Sequence, residues 1–107
     1  MPRNIKRILR ELKKGLIEIY GEQLKAVILF GSYARGDAHP PDSDIDVLIV
    51  LQGEFDYWEV SKRSSELVAS LSLENDVVIS RKFTSETVYA NSRMPLYINV
   101  RKEGVAV

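Results

Sequence analysis

Two short runs in this chain carry no polar side chain: Ala26-Val27-Ile28-Leu29-Phe30 and Val47-Leu48-Ile49-Val50-Leu51. A strand with one wet face alternates apolar and polar residues, whereas a run apolar at every position suits a strand covered on both faces. Such strands need helices to cover them, and the rest of the apolar pattern is helical. Ile5, Ile8, Leu9, Leu12, Leu16, Ile19 and Tyr20 recur at helical spacing with Lys and Arg on the other face. They predict an amphipathic helix over 3–20, weakened slightly by Gly15 and stopped at Gly21.

The remaining elements follow from local signals. Ala26–Phe30 reads as the first strand, after which Ser32 caps a short helix reaching Gly36. Asp37–Ser43, with Pro40-Pro41 inside it, reads as a loop. Residues 44–51 form the second strand and Gln52-Gly53 a turn. Val60, Leu67, Val68 and Leu71 favour a long helix over 56–73, and Asn75–Ser80 reads as a third strand opened by Asp76. A short helix is expected over 85–91. Pro95 at a first helical position and Gly104 just past a last one predict a helix over 95–103. Val105–Val107 could add an edge strand. This order argues for one α/β (α+β) domain, a sandwich of helices on a small mixed sheet.

Composition narrows the partners. At 107 residues, with fifteen basic and fifteen acidic side chains, the chain has no net charge to draw it to nucleic acid or to an anionic membrane. The absence of cysteine excludes disulfides, thiolate zinc sites and a cysteine nucleophile. No apolar stretch approaches the ~20 residues that span a bilayer. The basic N-terminus lacks a following signal-peptide core, so a cytoplasmic location is the default expectation.

The chemistry concentrates at Asp44 and Asp46. Side chains alternate along a strand, so these two carboxylates should point the same way. An unpaired pair of carboxylates repels, and a cation between them relieves it. Gly31-Ser32 stands at the end of a buried strand, where a turn offers amides and a hydroxyl to phosphate oxygens. Asp76 could add a third carboxylate if the second and third strands are neighbours. Taken singly these signals are weak, since Asp is common at strand ends.

Rival readings fit less well. Asp42, Asp44 and Asp46 match the first places of an EF-hand loop, but Val47 holds the glycine place and Gly53 that of the bidentate acid. A Walker motif fails because no lysine follows Gly36. His39, the only histidine, reads as a solvated loop residue. Arg35 could neutralise phosphate or pair with Asp37 or Asp42. Phe55, Tyr57 and Trp58 read as core packing, with a contact surface as the alternative.

Gly31-Ser32-Tyr33-Ala34-Arg35-Gly36 followed by Ser43-Asp44-Ile45-Asp46-Val47-Leu48 resembles the signature of the nucleotidyltransferase superfamily that includes DNA polymerase beta. Over most of its length the chain is similar to the smallest branch, the MNT (minimal nucleotidyltransferase) antitoxins that pair with HEPN toxins. The resemblance implies two magnesium ions held by Asp44, Asp46 and Asp76, with Gly31 and Ser32 holding the triphosphate of ATP; Arg35 is a further phosphate-binding candidate on its charge alone. The resemblance also implies AMP transfer to a hydroxyl of the partner toxin, expected to be a tyrosine, within a hetero-oligomer. The alternative is an antitoxin that neutralises its partner by binding alone. The stretch between Ser32 and Asp44 is one residue longer than is usual in the family.

Overall fold

The computed structural model describes residues 1–40 and 42–107; Pro41, part of the expected Pro40-Pro41 loop, lies outside the described residues. Among the described residues the sheet has four strands in the order β3-β2-β1-β4: β1 (Leu24–Phe30), β2 (Ile45–Leu51), β3 (Ile79–Ser85) and β4 (Val105–Ala106). β1 runs antiparallel to both β2 and β4, and β2 runs parallel to β3. A mixed sheet was the expectation, and its parallel pair needs a crossover. That crossover is made by α3 (Tyr57–Arg63) and α4 (Ser65–Asn75).

The continuously apolar strands are covered from both sides. On one face Val27, Leu29, Val47, Ile49 and Leu51 join Ile8, Leu12 and Leu16 of α1 (Arg3–Tyr20) and Leu71 of α4. On the other, Ile28, Leu48 and Val50 meet Val100 of α6 (Pro95–Glu103), with Leu96, Tyr97 and Tyr89 packed against them. Every residue of β2 is buried except Asp46. A carboxylate is the one polar interruption in the central strand. Among the described residues no helix is long and apolar enough to cross a membrane.

Glycine spacing explains two close contacts. Gly15 lets α1 approach α4: a Cβ there would lie 2.6 Å from a Leu67 methyl. Gly104 has an ordinary φ of −64°, so space rather than conformation requires it. Its Cβ would lie 2.4 Å from the Val100 carbonyl oxygen and 2.6 Å from Ile28 Cγ2. Backbone cannot yield there as a side-chain tip can. Gly104→Ala is expected to destabilise by about 1–3 kcal/mol, measured as a lower denaturant midpoint.

Three elements differ from expectation. The helix expected over 56–73 is two helices that break at Ser64, which is fully buried. Its hydroxyl meets the Tyr20 hydroxyl at 2.8 Å and accepts from the Arg81 guanidinium. This junction joins α1, α3–α4 and β3. The third strand begins at Ile79, not at Asn75, because α4 runs on to Asn75 and Asp76 closes it in a left-handed conformation (φ 51°, ψ 49°). Asp tolerates that conformation better than most residues. Finally, Phe55 packs against the core and Tyr57 lays its ring edge-to-face on buried Phe83, but Trp58 is 71% exposed. α5 (Glu86–Asn91) is capped by Ser85, whose hydroxyl accepts from the Val88 amide.

Candidate active site

Antiparallel pairing sets Phe30, the last residue of β1, opposite Asp46 near the start of β2. The chain then turns at Gly31 into the short helix α2 (Ser32–Arg35). Gly31 adopts φ 75°, ψ −156°, a region that only glycine enters without strain. A Cβ there would sit 2.4 Å from Oδ2 of Asp46. The bend is therefore pressed directly against the carboxylate. Gly31, not Ser32, occupies the cap position, and Ser32 makes no capping bond. Its hydroxyl stands as the first side chain of the turn. The carbonyl of Gly31 accepts from the Ala34 and Arg35 amides at 3.1 Å.

Asp46 is half-buried and its pKa is raised, first by burial and then by the Asp44 charge; Lys82 and Arg35 oppose the shift. Asp44 is exposed and stands just before β2, which begins at Ile45 and not at Asp44 as expected. A folded pKa above the unfolded value means that the fold favours the protonated acid. That stabilisation is full below the unfolded pKa and is lost as pH rises through the raised value. Asp46→Asn should therefore be more stable than the parent at neutral pH. The gap should close as pH falls through the raised Asp46 pKa, measured by paired denaturant titrations without divalent cation.

Asp76 stands at the end of α4 and not on β3. In the parallel β2–β3 ladder Asp46 faces Ser80, and Leu48 faces Lys82. The place beside Asp46 on the neighbouring strand is therefore held by a serine. Asp76, at the end of α4, lines a cavity with Asn4 and Ile5 of α1, Tyr33 and Ser43. Among the described residues no three acid, histidine or cysteine side chains gather where a metal could sit. Two carboxylates beside a glycine bend are a donor set that would fit magnesium, which is commonly held by one or two carboxylates and completed by substrate phosphates. Gly31, Asp44 and Asp46 are brought together, with Arg35 at the edge.

Arg35 donates to Asp37 Oδ2 at 3.2 Å and approaches Glu103 of α6 at 3.8 Å. Asp42 is not its partner. Between this arginine and α6 lies a cleft of about 230 Å³ lined by Phe30, Gly31, Leu96, Asn99, Val100 and Glu103. Sequence reasoning missed it. The Leu96, Asn99, Glu103 spacing on a helix was the available signal. The His39 amide donates to the Ser43 hydroxyl at 2.8 Å, a loop bond that gives no catalytic role to its ring.

Residues 9–105 match the model of the nucleotidyltransferase domain family. The chain belongs to that family. This nucleotidyltransferase is 36% identical to a relative from Methanocaldococcus jannaschii provisionally named a protein adenylyltransferase, over 94% of this chain and 95% of the relative. A solved structure provisionally named a nucleotidyltransferase from Sulfolobus solfataricus is 26% identical and superposes with a TM-score of 0.58, covering 95% of this chain and 83% of the other. A solved toxin–antitoxin with AMP-PNP is similar in fold, with a TM-score of 0.57 at 22% identity; the match covers 89% of this nucleotidyltransferase and 68% of that chain.

Proposed function

We propose that this nucleotidyltransferase moves AMP from ATP to a hydroxyl, expected to be a tyrosine, on a partner HEPN-type toxin, and so acts as an antitoxin. The observation that carries the reading is the Gly31 bend packed on Asp46, with Asp44 alongside. On this reading the bend is the phosphate cradle and the carboxylate pair is the cation site. The relative named a protein adenylyltransferase supports the donor and the acceptor class, and the toxin–antitoxin with AMP-PNP supports the setting.

Gly31 and the Ser32 hydroxyl receive the triphosphate, and Arg35 turns from Asp37 and Glu103 to neutralise it. The acceptor oxygen bonds to the α-phosphorus, the bond to the β-phosphate oxygen breaks, and pyrophosphate departs. The hydroxyl proton passes to the water around exposed Asp44. Asp44 and Asp46 would hold magnesium with the phosphates, and when bound it supplies charge neutralisation and a more acidic acceptor hydroxyl. The residues here do the positioning, on which phosphoryl chemistry chiefly depends.

The direct experiment mixes the protein with its candidate partner, magnesium and labelled ATP. Mass increments of one or more adenylyl groups on the partner support transfer. An inhibited but unmodified partner supports neutralisation by binding alone, the second reading, which the exposed Trp58 keeps open.

A further inference from the structure

The cleft between the Gly31 bend and α6 has a shape and a chemistry that the phosphate cradle does not use. Its volume of about 230 Å³ is below the ~300–1,000 Å³ of pockets that enclose a whole ligand. It suits one part of a nucleotide. Gly31 belongs both to this cleft and to the contact with Asp46, so phosphates at the bend place the rest of the nucleotide beside it. Phe30, Leu96 and Val100 make an apolar wall, and Glu103 stands at the rim.

One polar group on that wall is free. Asn75 and Asn91 spend their amides on carbonyls of their own helices, 2.9 Å away in each case. Asn99 is exposed on α6 and makes no such bond among the described residues. A carboxamide offers one acceptor and one donor side by side. Adenine presents the matching pair, an amino donor next to a ring-nitrogen acceptor.

We propose that this cleft is the nucleobase pocket and that Asn99 reads the base edge. The inference rests on the nucleotidyltransferase reading above. Asn99→Asp replaces the donor with a second acceptor, which suits the adjacent N–H donors of guanine and rejects the adenine ring nitrogen. Leu96→Trp fills the wall.

The test is calorimetric binding of ATP, GTP and inorganic tripolyphosphate to the full chain with magnesium. Asn99→Asp should lower the ratio of ATP to GTP affinity by about tenfold. Leu96→Trp should weaken both nucleotides while tripolyphosphate binds as before. Parent protein that binds ATP, with Asn99→Asp leaving the ratio unchanged, overturns the base pocket alone. Parent protein that binds no nucleotide overturns the nucleotidyltransferase reading and the pocket together. Should Leu96→Trp fail to fold, the Asn99→Asp ratio decides.

Discussion

Asp46→Ala should give a folded protein whose nucleotidyl transfer is slower by about 10³-fold, or ~4 kcal/mol of transition-state stabilisation. The two halves of that expectation come from the same observation. Asp46 is the one polar side chain in a strand otherwise buried throughout, and its charge is held there against burial and against Asp44. Removing it relieves a repulsion, so stability without cation should not fall. What falls is the capacity to gather positive charge at the phosphates. Asp44→Ala should match the loss in transfer, because an exposed carboxylate has no packing role to confuse the result. Asp76→Asn should transfer at the parental rate, since Asn also accepts the left-handed cap and Ser80, not Asp76, stands opposite Asp46 in the β2–β3 ladder. Labelled AMP incorporation into the partner, alongside circular dichroism of each variant, checks all three. Full transfer by both Asp44→Ala and Asp46→Ala would overturn the site; loss of transfer in Asp76→Asn would return that residue to it.

The contrast between Asp46 and Asp76 shows where the sequence was legible. Local periodicity placed α1 over its full span, because one long apolar stripe has one solution. It also placed Asp44 and Asp46 together, because alternation along a strand is a property of the backbone itself. Asp76 failed for a physical reason. Asn75-Asp76-Val77-Val78 reads equally as a strand opening or as a helix end followed by extended chain, and the left-handed tolerance of Asp decides for the helix end. The observed β3 carries Arg81 and Lys82, whose charges hid it. Arg81 can sit in the strand because its guanidinium reaches the Ser61 carbonyl at 2.6 Å and the Ser64 hydroxyl. That junction also breaks the long helix at Ser64. Contacts across such sequence separations leave no periodic trace, so the break could not be read from local pattern.

Gly31→Ala should lose both stability and transfer, and the two losses have separable causes. The backbone at φ 75°, ψ −156° costs a side-chain-bearing residue about 1–3 kcal/mol. The new Cβ would also stand 2.4 Å from Asp46 Oδ2, 3.3 Å from its Cγ and 3.4 Å from its Cβ. To clear it the Asp46 carboxylate must rotate away from the bend, which moves its charge from the place it holds beside Gly31. A displacement of about 1 Å between phosphate cradle and carboxylate is enough to slow transfer about 100-fold. A double-mutant cycle separates the causes. In an Asp46→Ala background the carboxylate atoms are gone and mainly the backbone strain remains. Gly31→Ala should therefore destabilise that background less than it does the parent, by about 1 kcal/mol, as measured by denaturant midpoints of the four proteins. Equal destabilisation in both backgrounds would mean that the bend and Asp46 do not touch. The phosphate cradle and the cation site would then not be one construction.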